Sequence, residues 1–275
     1  MYSMKTELGG LKSIGRQLLG KLFQASKESF TVVEASQVLN VSRYRAASLL
    51  AMWARNGWLH RVRRGLYIPV PLQATSSEVT PQEPWLIAHK LFSPCYIGGW
   101  TAAHHWGLTE QIFNSIYVMT TKKVHQREQH LDGVIFKVKT ILAKKIFGTQ
   151  FIWSGKVKIA ISDPTKTVID GLNDPAVFGG IRMVADVLSA YIHSKEFNQK
   201  KLLEYAEAME NSAVYKRLGF LIELIEFDGA ITIASACKSN LKSGYSQLGP
   251  ATAGDRLETR WNLWVPKSFS IKDQE

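Results

Sequence analysis

Cysteine is nearly missing from this 275-residue sequence, which has only Cys95 and Cys237. They lie far apart and neither sits in a CxxC pair, so a disulfide framework and a paired-thiolate zinc site are both set aside. In a chain without an export signal, the two thiols are expected to be reduced and buried. Long apolar runs are missing too: nothing approaches the roughly 18 residues of a membrane span. The opening MYSMKTELGG lacks the apolar stretch of a secretory signal. The expected location is the cytoplasm, with no membrane partner. Acidic residues are scarce at the amino end, where residues 1–73 hold three Glu against eleven Lys and Arg. Also missing are a GxSxG elbow, a phosphate-cradling glycine loop and a dinucleotide fingerprint. Neither a catalytic constellation nor a cofactor is expected, and the chain reads as a non-enzyme.

What is present is an ordinary globular composition, 45% apolar and 21% charged, of a length that suits about two domains. The net charge is +11, and +8 of it lies in residues 1–73. A local basic field attracts phosphate backbones without regard to sequence.

The segment Thr31–Pro69 is the most specific in the chain. Before it, Ser13–Ala25 places Ile14, Leu18 and Leu22 on one helical stripe, with Leu19 and Phe23 alongside. Thr31 followed by Glu34 has the spacing of a capping box, and the helix it opens ends near Leu39-Asn40-Val41. Ser42 can cap a second helix, Arg43–Arg55. Ala46, Leu49, Leu50 and Trp53 share one face of that helix. The opposite face carries Tyr44, Ser48 and Arg55, with Arg43 and Arg45 flanking near its start. Gly57 ends the helix, and WLHRV and LYIPV read as two strands about Arg63-Arg64-Gly65. Arg61, Arg63 and Arg64 cluster at this hairpin tip. Two helices, a short turn and a cation-tipped hairpin outline a winged helix-turn-helix. Residues at the start of its second helix reach base edges, and the hairpin meets phosphates or the minor groove.

Four prolines between Pro69 and Pro84 mark an interdomain linker. The expected domains are therefore 1–70, a linker at 71–84, and 85–275. In the last, helices are expected at Trp85–Leu91, Gly98–Trp106, from Asp163-Pro164 onward, and at Ile181–His193, Gln199–Met209 and Val214–Glu226. Strands are expected at Ser115–Met119, Val134–Val138, Val157–Ile161 and Thr259–Val265. The fold class is α+β: an N-terminal winged helix-turn-helix followed by a larger mixed α/β domain.

His89, His104, His105, His125 and His130 have no zincin spacing, so no metal site is assigned. Asp163 reads as a helix cap and Asp170 as a solvated or hydrogen-bonded carboxylate. Trp100, Trp106, Trp261 and Trp264 read as core anchors, and Arg217 and Arg260 as members of structural ion pairs.

The order of motifs carries a resemblance. After the hairpin RRGLYIP come YIGGWTAAHHWGLTEQIFNSIYVMT, ISDPTKTVIDGLNDP, YKRLGFLIELI and GDRLETRWNLWVP. Over about residues 10 to 267 this series resembles the AbiEi family of antitoxins, the regulator half of type IV toxin–antitoxin systems. The resemblance implies binding to inverted repeats in the chain's own promoter, repression of that promoter, and antitoxicity seated in the larger C-terminal domain. It also implies a nucleotidyltransferase toxin as functional partner, without a required stable complex. Carried over by position, the contacts to double-stranded DNA are Arg43, Tyr44, Arg45, Ser48, Arg61, Arg63 and Arg64. Arg55 joins them from the reading helix. A ligand-responsive repressor with a C-terminal effector pocket is the alternative.

Overall fold

A computed structural model describes residues 13–25, 29–70, 83–154, 157–250, 255–267 and 269. It falls into two compact units, one of Met1–Leu91 with Glu128–Phe136, the other of Phe92–Arg127 with Lys137–Glu275. The sequence-read linker at 71–84 lies outside the described residues except for its last two.

The first unit opens with α1 (Ser13–Ala25), β1 (Phe30–Thr31), α2 (Val32–Leu39) and α3 (Arg43–Arg55). The hairpin β2 (Leu59–Arg63) and β3 (Leu66–Pro69) follows, then α4 (Pro84–Phe92). Leu19 and Leu22 of α1, Ala35 and Leu39 of α2, and Leu50 and Trp53 of α3 meet in one core. Ile14, expected in the α1 stripe, is 70% exposed; it sits in the first turn, where Arg16 and Gln17 are also exposed. The helix Trp85–Leu91, read as the head of the C-terminal domain, is α4 and lies in the first unit up to Leu91.

The remaining elements begin with β4 (Cys95–Ile97), α5 (Gly99–His105), β5 (Ser115–Thr120), β6 (Glu128–Leu131) and β7 (Val134–Thr140). Then come β8 (Thr149–Ser154), β9 (Val157–Ser162), α6 (Pro164–Asn173), α7 (Ile181–Ile192), α8 (Gln199–Ala208), α9 (Ser212–Ile222) and α10 (Ala230–Ser239). Three short strands close the chain: β10 (Ser246–Gln247), β11 (Arg256–Glu258) and β12 (Leu263–Val265). The main sheet has the order β6-β7-β5-β4-β9-β8, and a small one has β10-β12-β11. The architecture is α+β, with helices first and a larger region of sheet and helices after. Thr259–Val265 is not one strand: β11 turns back antiparallel onto β12, so Thr259–Asn262 form the reversal, with Asn262 at φ 49°.

At the centre of the second unit lies α6, whose first nine residues, Pro164 to Leu172, are all buried. Asp163 caps it, accepting from the Lys166 N–H at 2.8 Å, and Pro164 takes the first helical position, where its missing N–H costs nothing. The helix carries a cation inside. Lys166 is wholly buried, pairs with Asp170 one turn on, and donates to the Tyr96 hydroxyl at 2.9 Å. That hydroxyl donates to the other Asp170 oxygen at 2.8 Å, so the triangle satisfies itself. The rings of Phe147 and Tyr96 lie 4.8 and 5.1 Å from the ammonium. Burial first, then the Asp170 carboxylate, pushes the Tyr96 hydroxyl well above its ordinary pKa. Asp163 also accepts from Tyr205 at 3.0 Å and pairs with Lys201 at 2.9 Å. Gly148 makes room for this cluster, since a Cβ there would lie 2.5 Å from the Tyr205 ring.

Of the residues read as core anchors, Trp100 and Trp261 are buried, while Trp106 and Trp264 are partly covered. Arg260 does pair with Glu223, at 2.6 Å. Arg217 does not form the expected ion pair: its guanidinium donates to the carbonyls of Leu172, Asn173 and Gln247. A planar fork of five donors suits several carbonyls at a helix end better than one carboxylate.

Candidate nucleic-acid interface

The turn into α2 forms as its residues require. Thr31 Oγ1 accepts from the Glu34 N–H at 3.2 Å, and Glu34 returns the bond to the Thr31 N–H at 2.7 Å. Asn40 then takes a left-handed conformation, φ 53°, and redirects the chain into α3. Ser42 Oγ accepts from the Arg45 N–H at 3.2 Å. The α3 face of Ala46, Leu49, Leu50 and Trp53 is buried, as its periodicity demands. Its other face is open: Arg43, Arg45, Ser48 and Arg55 are exposed, and Tyr44 is 84% exposed.

The end of α3 is set by Gly57 at φ 77°, with Gly57 N–H bonded to Ala54 O and Trp58 N–H to Trp53 O. That pair of bonds is a Schellman motif, and glycine is the residue that adopts it without strain. It sends the chain directly into β2, which packs against α3. Leu59 and Val62 of β2 point inward; Arg61 and Arg63 point out, and Arg64 stands exposed in the turn. Gly65, at φ 88°, closes that turn. All eight sequence-read positions therefore lie exposed, five on α3 and three on β2 and the turn that follows it, and α3 and β2 touch.

Two supports are not visible in the sequence. The two-residue β1 pairs with β3, and the Val32 N–H bonds Gly65 O at 3.2 Å. The start of α2 thus anchors the arginine-bearing turn. Lys90 of α4 donates to Ser29 O at 2.9 Å and to Glu34 at 3.0 Å. Burial tends to raise the Glu34 carboxyl, but its bonds to the Thr31 N–H and to Lys90 outweigh this and hold it below the usual value. On β2, His60 Nε2 lies 2.8 Å from Asp132 of the β6–β7 turn, within the same unit.

The electrostatics of the open face are lopsided. Among the described residues none of the six arginines pairs with a carboxylate, and the first turn of α3 has no acid. Arg43 and Arg45 sit at the positive end of the helix dipole, where cations are unfavourable and an incoming anion is favoured. No group of three or more His, Cys, Asp or Glu able to hold a metal occurs among the described residues.

Comparison with known proteins bears on the same segment. A solved structure, the RV2827C protein from Mycobacterium tuberculosis, shares the fold at a TM-score of 0.59 and 13% identity. The match covers 93% of this chain and 92% of that one. No curated protein matches the chain. The family described as transcriptional regulator, AbiEi antitoxin, matches residues 17–70, which hold α2, α3, the hairpin and most of α1. Over those residues, then, the chain is recognised as similar to the AbiEi antitoxins, a family of transcriptional regulators.

Proposed function

We propose that the first unit is a winged helix-turn-helix that binds double-stranded DNA, with α3 in the major groove and the β2–β3 hairpin as its wing. Arg43, Tyr44, Arg45 and Ser48 lie at the end of α3 that meets bases, and Arg55 lies toward phosphate. Arg61, Arg63 and Arg64 lie against the backbone or in the minor groove. The observation that carries this reading is the set of exposed arginines with no carboxylate partner among the described residues, inside the segment that matches a regulator family.

The chain is then an autorepressor at inverted repeats in its own promoter and the antitoxin of a type IV pair. It counters a nucleotidyltransferase-like toxin through its larger region, without catalysis of its own, and works in the cytoplasm where the DNA is. Gel-shift titration on the DNA upstream of the gene tests the first half, against scrambled repeats at matched salt. Equal affinity for both duplexes rejects it. Co-expression with the neighbouring gene tests the second half: growth arrest by that gene alone, relieved by this chain, is expected. The ligand-responsive reading draws less support. The cleft of about 460 Å³ near α8 and α10, lined by Lys200, Glu204 and Glu207 together with Leu203, Tyr215 and Ala236, is open, where an effector pocket is enclosed.

A further inference from the structure

Among the described residues, β8 is the end strand of the main sheet, and β9 is its one strand neighbour. Its register is unbroken from Thr149 opposite Ser162 to Ser154 opposite Val157, without a bulge. Alternate backbone N–H and C=O groups of such a strand point away from the sheet, a ready template for another strand. Proteins shield such edges with charge, proline or a bulge. The β8 sequence TQFIWS has no charged residue and no proline. It presents instead Phe151 and Trp153, 64% and 66% exposed, two apart and therefore on one face.

The strand also reads nearly alike in both directions about Ile152: polar Gln150, aromatic Phe151, aliphatic Ile152, aromatic Trp153, polar Ser154. Laid antiparallel on its own copy about a two-fold axis at Ile152, each Phe151 stands opposite the other copy's Trp153, twice over. Directly opposed aromatic residues on one face are among the stabilising cross-strand pairs. A two-fold interface uses one patch on both copies, so self-complementarity is its requirement. Two copies each carrying +11 repel, which weakens the pairing, but the uncharged strand adds no like-charge contact at the seam itself. Lys158, cross-strand from Trp153, holds its ammonium 5.0 Å from the indole and covers part of that ring, leaving the rest to the strand edge.

We propose that β8 is a self-association edge, through which two copies of this chain pair antiparallel about Ile152 and join their main sheets. The inference does not depend on the DNA reading. A six-residue strand pair is well below the roughly 1,200 Å² of a standard stable interface, so the dimer is concentration-dependent.

Sedimentation velocity of the full chain without DNA, from about 1 to about 200 µM, tests it. The mass is expected to rise from one 30.9 kDa chain toward two. The F151E/W153E variant is expected to stay monomeric, with the same far-UV circular dichroism and melting midpoint. Register is tested by charge exchange: F151K alone and W153E alone stay monomeric, while their mixture associates, because position 151 of one faces 153 of the other. A monomeric wild type overturns the proposal, as does a dimer unaffected by F151E/W153E, or a mixture that fails to associate. A monomer whose Trp153 fluorescence is instead quenched by single-stranded DNA overturns it in favour of another occupant.

Discussion

Two sets of cations, one in each unit, have opposite fates. In the first, Arg43, Arg45, Arg55, Arg61, Arg63 and Arg64 stand in solvent without a carboxylate among the described residues. In the second, Lys166 and Lys216 are buried, and Arg217 has its donors taken up by carbonyls. Burial lowers the pKa of Lys216, which donates to Gly244 O at 2.6 Å. A charge taken out of water needs every lone pair and proton matched, and it then fixes structure and is not free to bind. An exposed guanidinium costs little to hold and remains available to a phosphate. Charge counted along the chain cannot separate these uses, whereas burial and partners do.

That contrast can be broken most forcefully from inside. Lys166→Met should leave Asp170 buried without its cation and lower the unfolding free energy by about 3–5 kcal/mol, read by urea denaturation. If it costs no more than an ordinary surface change, the triangle is not structural. Gly219→Ala should follow. Its Cβ would lie 2.1 Å from the Trp261 ring, so the indole must move from the Glu223 carboxylate it donates to at 2.7 Å. A loss of about 1–3 kcal/mol is expected in the same experiment.

Arginine changes in the first unit should do the reverse, sparing stability and weakening binding. Arg43→Ala or Arg45→Ala should cost about 1–3 kcal/mol for each bond to a base edge that is removed, with reduced preference for the true repeat. Arg61, Arg63 and Arg64 to Ala should weaken binding to all duplexes and flatten the slope of log K against log salt by about 0.9 for each phosphate no longer neutralised. A lowered melting midpoint in these variants would erase the comparison. Thr31→Ala removes one arm of the capping box and should cost about 1 kcal/mol in the first unit.

The smallest effect is acidic. Burial pushes the Asp174 carboxyl up, but its pairing with Lys139 and its bond from the Ala176 N–H outweigh that, so it titrates below its usual value, like Glu34. Carboxyls held low in the native state add stability above their unfolded pKa of about 4, and that stability is lost as pH falls through the folded values. Glu34→Gln with Asp174→Asn should therefore flatten the fall in melting midpoint between about pH 5 and about pH 2. A slope equal to the wild type rejects the assignment.

Much of the first unit is legible in the sequence because its signals are local. The capping box at Thr31 and Glu34, Ser42 before α3, Gly57 after it and Gly65 in the hairpin turn each act within a few residues. The periodic face of α3 is buried position for position. What escapes such a reading is non-local or too short to have a period. β1 has two residues and exists only because β3 lies beside it. α10 has a sequence of small and β-branched residues with no strong helix pattern. β8 is missing from the expected strands, since its exposed aromatics break the alternation of a half-buried strand. At the centre of α6, Lys166 and Asp170 have the spacing of a surface pair one turn apart, and their burial follows from packing on every side of that helix. The eight positions of the arginine-bearing face are picked out by spacing, local charge and the family resemblance together, and all eight are exposed.

The segment Glu128–Phe136 has a last consequence. Because it belongs with the first unit, the backbone passes between the two units three times, near residues 91, 127 and 136. A fragment ending at Leu91 would strand His60, whose carboxylate neighbour Asp132 comes from the returning turn. A single genetic crossover therefore cannot transplant this head onto another body intact. Any exchange by recombination that keeps this unit whole has to carry two separated stretches of gene.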